Sequence, residues 1–304
     1  MINRRFGLSD KLRLFNRSGV NTSARNDWLI DEGELESQLF KQDEKGAFLG
    51  ILSQEEVFGL FESCGVQAAL ARRGFRDVLS EMKTDDPSLH RFRICSQDGS
   101  EEGLLVEIVL RKASIPNHKF VLSLDSMPKL DFLFVEWLLS QNPQEGFTAA
   151  KSCLPGQRHP GLGIARNLLE VLVNFAEKLN VFGIATVPGH YHNAVIFSEY
   201  LKYLDPVSEG RLAALQRDLA GFSLADVSWA IDLGCVQDDK SGQDVKWFLD
   251  WQIYPTRPAM EAYFNSKVYL DRKLGASDAC QFYLDEQKFK HEGERIPRMM
   301  ADLI

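Results

Sequence analysis

The chain has 304 residues, of which 44% are hydrophobic, 26% charged and 11% aromatic, fractions that exclude collagen-like, disordered and supercharged classes. Its length exceeds that of one usual domain and predicts a catalytic-sized unit with an elaboration. A net charge of −8 repels phosphate backbones, so nucleic acid is not expected as a partner.

Cys64, Cys95, Cys153, Cys235 and Cys280 form no CxxC pair, which argues against a disulfide framework or zinc ribbon and for a reducing compartment. No apolar run suits a signal peptide or a bilayer span, so a cytoplasmic protein without a membrane partner is expected. Arg4, Arg5, Lys11, Arg13, Arg17 and Arg25 face a single acid, Asp10, and an acidic run follows from Asp27 to Glu44. A weakly packed, flexible arm is expected over residues 1–45.

Ser53-Gln54-Glu55-Glu56 reads as a capping box that opens a helix with Val57, Leu60 and Phe61 on one face, ending near Gly65. A second helical period covers Ala68 to Leu79. Arg91 to Cys95 and Leu104 to Leu110 flank Asp98-Gly99, the signature of a hairpin. Phe120 to Leu124 reads as a strand, and Leu130 to Leu139 as a short helix stopped by Asn142-Pro143. Further on, Arg211 to Leu219 predicts an amphipathic helix, and Ser223 caps another that ends at Gly234. Trp247, Leu249, Trp251 and Ile253 alternate with polar and aromatic neighbours and predict a half-buried strand closed by Pro255, with those four side chains facing inward.

The segment from Ser152 to Leu169 carries the chemistry. A short strand runs into Gly156, Gly161 and Gly163, and the turn opens a helix with Leu168, Leu172, Ala176 and Leu179 on one face. Small residues let a backbone approach an anion, and the first amides of a helix lack intrahelical partners, so this arrangement suits a pyrophosphate. A dinucleotide fingerprint is ruled out by Arg166 in place of the third glycine, and a P-loop by the absence of Gly-Lys-Ser/Thr.

Two registers of this loop, Arg158-x-x-Gly161-x-Gly163 and Pro160-x-x-Gly163-x-Ala165, resemble the pyrophosphate loop of the GNAT superfamily of acyl-CoA-dependent N-acyltransferases. The second fits the neighbouring elements better: Gly183 to Val187 resembles the next parallel strand, and Asn193-Ala194 through Phe197, Leu201 and Tyr203 resembles the helix and exit after it. The resemblance implies an α/β fold with a mixed, largely antiparallel sheet flanked by helices. Within it, strands around Cys153 and Thr186 run parallel, joined by the helix from Ile164 to Leu179. Residues 46–206 would form this unit, with an α+β extension over 207–304.

The resemblance also implies the function: transfer of an acyl group, such as acetyl, from acyl-CoA to an amine. Gly161, Leu162, Gly163, Ile164 and Ala165, with Arg158 and Asn193, would bind the cofactor. Ser152, Cys153 and Leu154 would line a slot for the pantetheine arm. Pro160 lacks the amide of the usual loop residue, Lys202 replaces a glycine, and Ser198 stands where many members carry a tyrosine that protonates the thiolate. Tyr191 is a candidate substitute.

His190 and His192 follow the second strand, where a base for the amine belongs. The same pair, with His159, reads alternatively as a set of metal ligands, or as a turn whose histidines bond locally. A non-catalytic module that binds a ligand or protein in the same cleft is the other functional reading. No metal is expected under the acyltransferase reading.

Overall fold

The computed structural model describes residues 46–96, 102–124, 128–148 and 150–296. The arm expected over residues 1–45 and the Asp98-Gly99 turn lie outside them. Helix α1 (Gln54–Ser63) opens with the capping box: Ser53 Oγ accepts from the Glu56 amide at 3.2 Å, and Glu56 Oε2 accepts from the Ser53 amide at 2.9 Å. Helix α2 (Val66–Ala71) is shorter than its period suggested. Gly74, at φ +95°, turns the chain, and Val78–Asp86 becomes strand β1, so Leu79 lies on an exposed sheet edge instead of a helix.

Strands β2 (Leu89–Ser96) and β3 (Leu104–Pro116) form the expected antiparallel pair, with Cys95 opposite Leu104. The segment Phe120 to Leu124 is no strand: Asn117 bonds both backbone groups of Leu124, at 2.6 and 2.9 Å, and satisfies them locally. Nor is Leu130 to Leu139 a helix, because Lys129–Ser140 forms strand β4, paired with β3 over its length. Its apolar residues face both ways, Leu133 and Val135 into one core and Phe132 and Phe134 into another. A strand buried on both faces loses the alternation that would distinguish it.

Helix α3 (Ala165–Lys178) then crosses to strand β5 (Gly183–Thr186), which pairs with β4 in parallel. The strand expected around Cys153 is absent. Residues 141–164 instead make an excursion whose end returns to β4, where the Asn142 amide donates to Pro160 O at 2.7 Å. Leu168, Leu172 and Ala176 are buried as expected, joined by Phe175, which packs at 5.6 Å from Phe48 and 6.3 Å from Phe61.

Helix α4 (Tyr191–Phe197) leads to β6 (Lys202–Tyr203), then α5 (Pro206–Asp218) and α6 (Leu224–Asp232). Ser223 caps α6, accepting from the Asp226 amide at 3.1 Å. Strand β7 (Val236–Asp238) pairs with β9 (Phe282–Leu284) in a small separate sheet. Between them lie β8 (Gln252–Pro255), α7 (Pro258–Phe264) and α8 (Lys267–Ala279), and α9 (Glu286–Glu292) follows.

Among the described residues the main sheet has seven strands in the order β1-β2-β3-β4-β5-β8-β6, antiparallel except for β4 with β5. The fold is therefore α/β with a mixed, mostly antiparallel sheet flanked by helices. Strand β8 lies beyond residue 206 yet sits between β5 and β6, so a unit ending at residue 206 would lack a strand of its own sheet. The alternation of Trp247 to Ile253 extends into that sheet only at its end. Leu249 is 50% exposed, Trp247 and Trp251 are half-buried, and the polar Gln252 is fully buried, donating to Ala194 O at 3.1 Å. Ile253 is fully buried as expected, and Gln252 fills the opposite face of the strand, held there by its bond to α4. On the flank, α5 and α8 pack closely at Gly210, where an added Cβ would lie 2.4 Å from the Lys273 carbonyl oxygen.

Candidate functional site

Strands β4 and β5 stay paired only from Leu133 with Ile184 to Val135 with Thr186. The Thr186 hydroxyl closes this stretch by donating to Val135 O at 3.3 Å. Beyond it β4 continues to Ser140, whereas β5 ends and the chain turns through Val187, Pro188 and Gly189 into α4. A bulge at Glu136, where Val109 faces Trp137 and Leu110 faces Val135, marks the point of parting. Bulges disturb the ladder and re-aim side chains, and they recur beside active sites. Glu136 itself is exposed and ion-paired with Arg111, and Glu107 lies 3.3 Å from Arg93.

The loop lies at one end of this gap. Cys153, Leu154 and Gln157 are buried around the Pro155-Gly156 turn, with the Leu154 amide donating to Gln157 Oε1 at 3.1 Å. Leu154 thus has no amide left to offer a pantetheine arm, while Ser152 is exposed. Cys153 Sγ sits 3.5 and 3.6 Å from the Leu154 and Gln157 carbonyl oxygens, and burial pushes its thiol up to about 11. A thiol in that state is no nucleophile near neutral pH.

Gly161 is half-buried and Leu162, Ile164 and Ala165 are buried. Gly163 has φ +65°, a conformation that a side chain would strain, and its carbonyl accepts from Arg73 Nη2 at 3.3 Å. Helix α3 begins at Ala165, and its N-cap, Ile164, supplies no side-chain acceptor, so the first helix amides remain open. Arg158 is exposed on the loop, and Arg166 is exposed on the first turn, 3.6 Å from Glu170. A groove of about 540 Å³ starts at Arg166 and runs along α3, with Leu169, Tyr200 and Tyr254 among its walls.

Helix α4 forms the other side. Its Ile196 and Phe197 pack against Ala165, which brings α4 to the mouth of α3. His190 Nδ1 lies 3.2 Å from the Asp232 carboxylate on α6, and the His190 and His192 rings stack at 5.2 Å. His190 Nε2, His192 Nδ1, Asn193 Oδ1 and Ser140 Oγ are all buried without a hydrogen-bond partner. Unpaired buried polar atoms are costly, and each calls for a partner.

Tyr191 points away, packing on Trp247 at 5.9 Å in the C-terminal core, where burial pushes its hydroxyl up to about 12. Ala165 at the end of the loop meets α4 at Ile196 and Phe197, about one turn beyond His190, His192 and Asn193, whereas Tyr191 belongs to the C-terminal core. His159, half-buried beside Arg158, does not join the histidine pair: among the described residues, no three His, Cys, Asp or Glu side chains are placed to hold a metal.

Sequence reasoning missed Asp232 and the roles of two tryptophans. Trp229 Nε1 donates to Cys153 O and Trp247 Nε1 to Pro188 O, each at 2.9 Å, pinning both lips of the gap. An indole read only as core carries a donor that needs a partner when buried, which is the one signal that pointed there.

No family model, no curated protein and no solved structure matches the chain. Function therefore rests on the residues of the gap.

The buried histidine gives a pH test. His192 is 1% exposed, and burial first, then the neighbouring His190, holds its pKa well below the ordinary value. Below about pH 6.5 the unfolded chain binds a proton that the folded chain refuses. Stability is then full above that pH and falls as pH drops toward the folded-state pKa, by about 1.4 kcal/mol per unit. Denaturant melts at pH 7.5 and 5.5 should show a smaller acid loss in His192→Gln than in wild type. Equal losses would mean that His192 takes up its proton in the folded state.

Proposed function

We propose that the chain transfers an acyl group from acyl-CoA to an amine. The observation that carries this reading is the parallel pair β4 and β5, which parts after Val135 and Thr186. An uncapped helix mouth lies at one side of the opening, and an unpartnered imidazole nitrogen at the other.

The residues fit such a co-substrate. The open amides of α3 and the guanidinium groups of Arg73, Arg158 and Arg166 suit its pyrophosphate. Ser140 Oγ and Asn193 Oδ1 are free to meet the amides of a pantetheine arm entering the gap. The groove along α3 is room for the remainder. When bound, acyl-CoA supplies an activated thioester carbonyl. His190 Nε2 accepts the proton that an ammonium acceptor must lose before its nitrogen can attack.

A second reading, binding without turnover, is favoured by two specific departures. Pro160 has no amide to give, and the Ser198 hydroxyl donates to Val195 O at 2.7 Å, leaving no acid at that position for a thiolate.

Calorimetric titration with CoA and acetyl-CoA tests the common core of both readings. Weak binding is expected, since the donor that Pro160 withholds would be worth roughly 1.5–3 kcal/mol. Gly163→Val should abolish it. The β-carbon at this left-handed position adds strain of about 1–2 kcal/mol, so denaturant melts must accompany the titration. No heat from wild type at millimolar CoA would remove the cofactor from this site. Retained affinity in Gly163→Val would remove the loop. Turnover with a panel of amines then separates the enzyme from the binding module.

A further inference from the structure

We infer that Asp232 is a positioning residue that fixes the tautomer of His190 and makes its Nε2 the base. This deepens the acyl-transfer reading and rests on it for the reaction, though the hydrogen bond itself stands independently.

The argument starts from what each group can donate. An ionised carboxylate only accepts, so the bond at 3.2 Å requires the hydrogen of a neutral His190 ring to sit on Nδ1. Nε2 then carries the lone pair. That atom is buried and bonded to nothing. The opposite tautomer would set the Nδ1 lone pair against the carboxylate and bury an Nε2–H without an acceptor. Both are unfavourable, so Asp232 selects one form.

The surroundings support this division of labour. The other titratable ring packed on His190 is His192, which burial keeps neutral, so it offers no counter-charge. Trp247 approaches from the segment before β8, but its indole N–H is spent on Pro188 O. The side chain of His190 is 13% exposed and that of Asp232 23%, so the pair is shielded but not sealed. Helix α6 is itself held in place. Trp229 lies three residues before Asp232, on the same helix face, and its indole is bonded to Cys153 O. One helix therefore touches both the approach to the loop and the base.

In the reaction, the proton lost by the acceptor amine ends on Nε2. The imidazolium so formed faces the Asp232 carboxylate across the existing bond. The amine lone pair forms the new bond to the acyl carbon, the carbon–sulfur bond breaks with its electron pair leaving on the CoA sulfur, and the second proton, shed by the acylated nitrogen, is taken up by that thiolate.

The test uses the full chain. Imidazole nitrogen NMR across pH 5–9 reads the tautomer and pKa of His190 in wild type, Asp232→Asn and Asp232→Glu. Steady-state kinetics with acetyl-CoA and an amine panel read kcat and KM. Asp232→Asn is expected to mix the tautomers and reduce kcat by about 10²-fold with little change in KM. Asp232→Glu keeps the charge and should restore part of the rate, and it replaces the asparagine variant if that unfolds. An unchanged His190 tautomer in Asp232→Asn would overturn the inference whatever the rates. A wild type that turns over no amine, yet loses its fixed tautomer in Asp232→Asn, would refute acyl transfer and leave the pairing intact.

Discussion

Replacing Gly210 by alanine is expected to lower stability by about 3 kcal/mol, the upper end of the cost of overpacking. The added Cβ would lie 2.4 Å from Lys273 O, 2.7 Å from Ala276 Cβ and 2.9 Å from the Ser277 amide nitrogen. Two of these neighbours are backbone, so no side chain can rotate out of the way. Relief requires α5 and α8 to separate, and a separation would pull on the Lys273–Glu209 contact at 3.2 Å and on the buried Tyr269. Gly275, also in α8, is the natural contrast, because a Cβ there meets nothing within 4 Å. Gly275→Ala should stabilise by about 0.5–1 kcal/mol, the usual gain from removing a glycine inside a helix. Urea melts of both variants decide the matter. Similar small effects would mean that the two helices are not in close contact at Gly210.

Under the proposed acyl transfer, substituting His190 by alanine is expected to reduce turnover by about 10²–10⁴-fold at neutral pH, the usual contribution of a positioned base. The loss should fall on kcat. Affinity for CoA should persist, because the loop and the α3 mouth are built from other residues. Raising the pH should recover part of the rate, since an acceptor amine that has already lost its proton needs no base. Wild-type kcat at pH 7 in the alanine variant would exclude His190 as the base. Wild-type affinity for CoA alongside it would keep the binding reading.

What the sequence made legible follows from how local each signal was. The Ser53 and Ser223 caps involve atoms three residues apart, and both form as expected. The loop and its helix were readable for the same reason. Strand β4 was not, because Phe132 to Val135 and Trp137 to Leu139 fill cores on both faces, and such a run carries no period of two. The excursion after β4 hid the parallel partner of β5, since the chain comes back through contacts far apart in sequence, the bond from Asn142 to Pro160 and the packing of Leu162 and Ile164 in the core that holds Leu138. In the site, His190 was visible as a residue after a strand. Asp232 was not, as it lies 42 residues away and meets His190 only through the packing of α6. Trp251 was read as facing the core and packs against it half-buried, 6.2 Å from Phe134 and with Ile253 in the same cluster, while Gln252 is buried on the opposite face of the strand, which no alternation of apolar residues could announce.

The position of β8 has a consequence for how the molecule is made. A nascent chain leaving the ribosome can pair β1 to β5 in the order of synthesis, each strand adding to the edge left by its predecessor. Strand β6 emerges next with no neighbour to receive it, because β8 separates it from β5. Residues 204–251 must follow before Gln252 can pair with Thr186 on one side and Tyr203 on the other. Until then the edge of β5 is bare, and with it the wall of the gap that carries His190. Exposed strand edges invite pairing with other chains, so the late arrival of β8 makes translation past Pro255 the step that both seals the sheet and protects it from its neighbours.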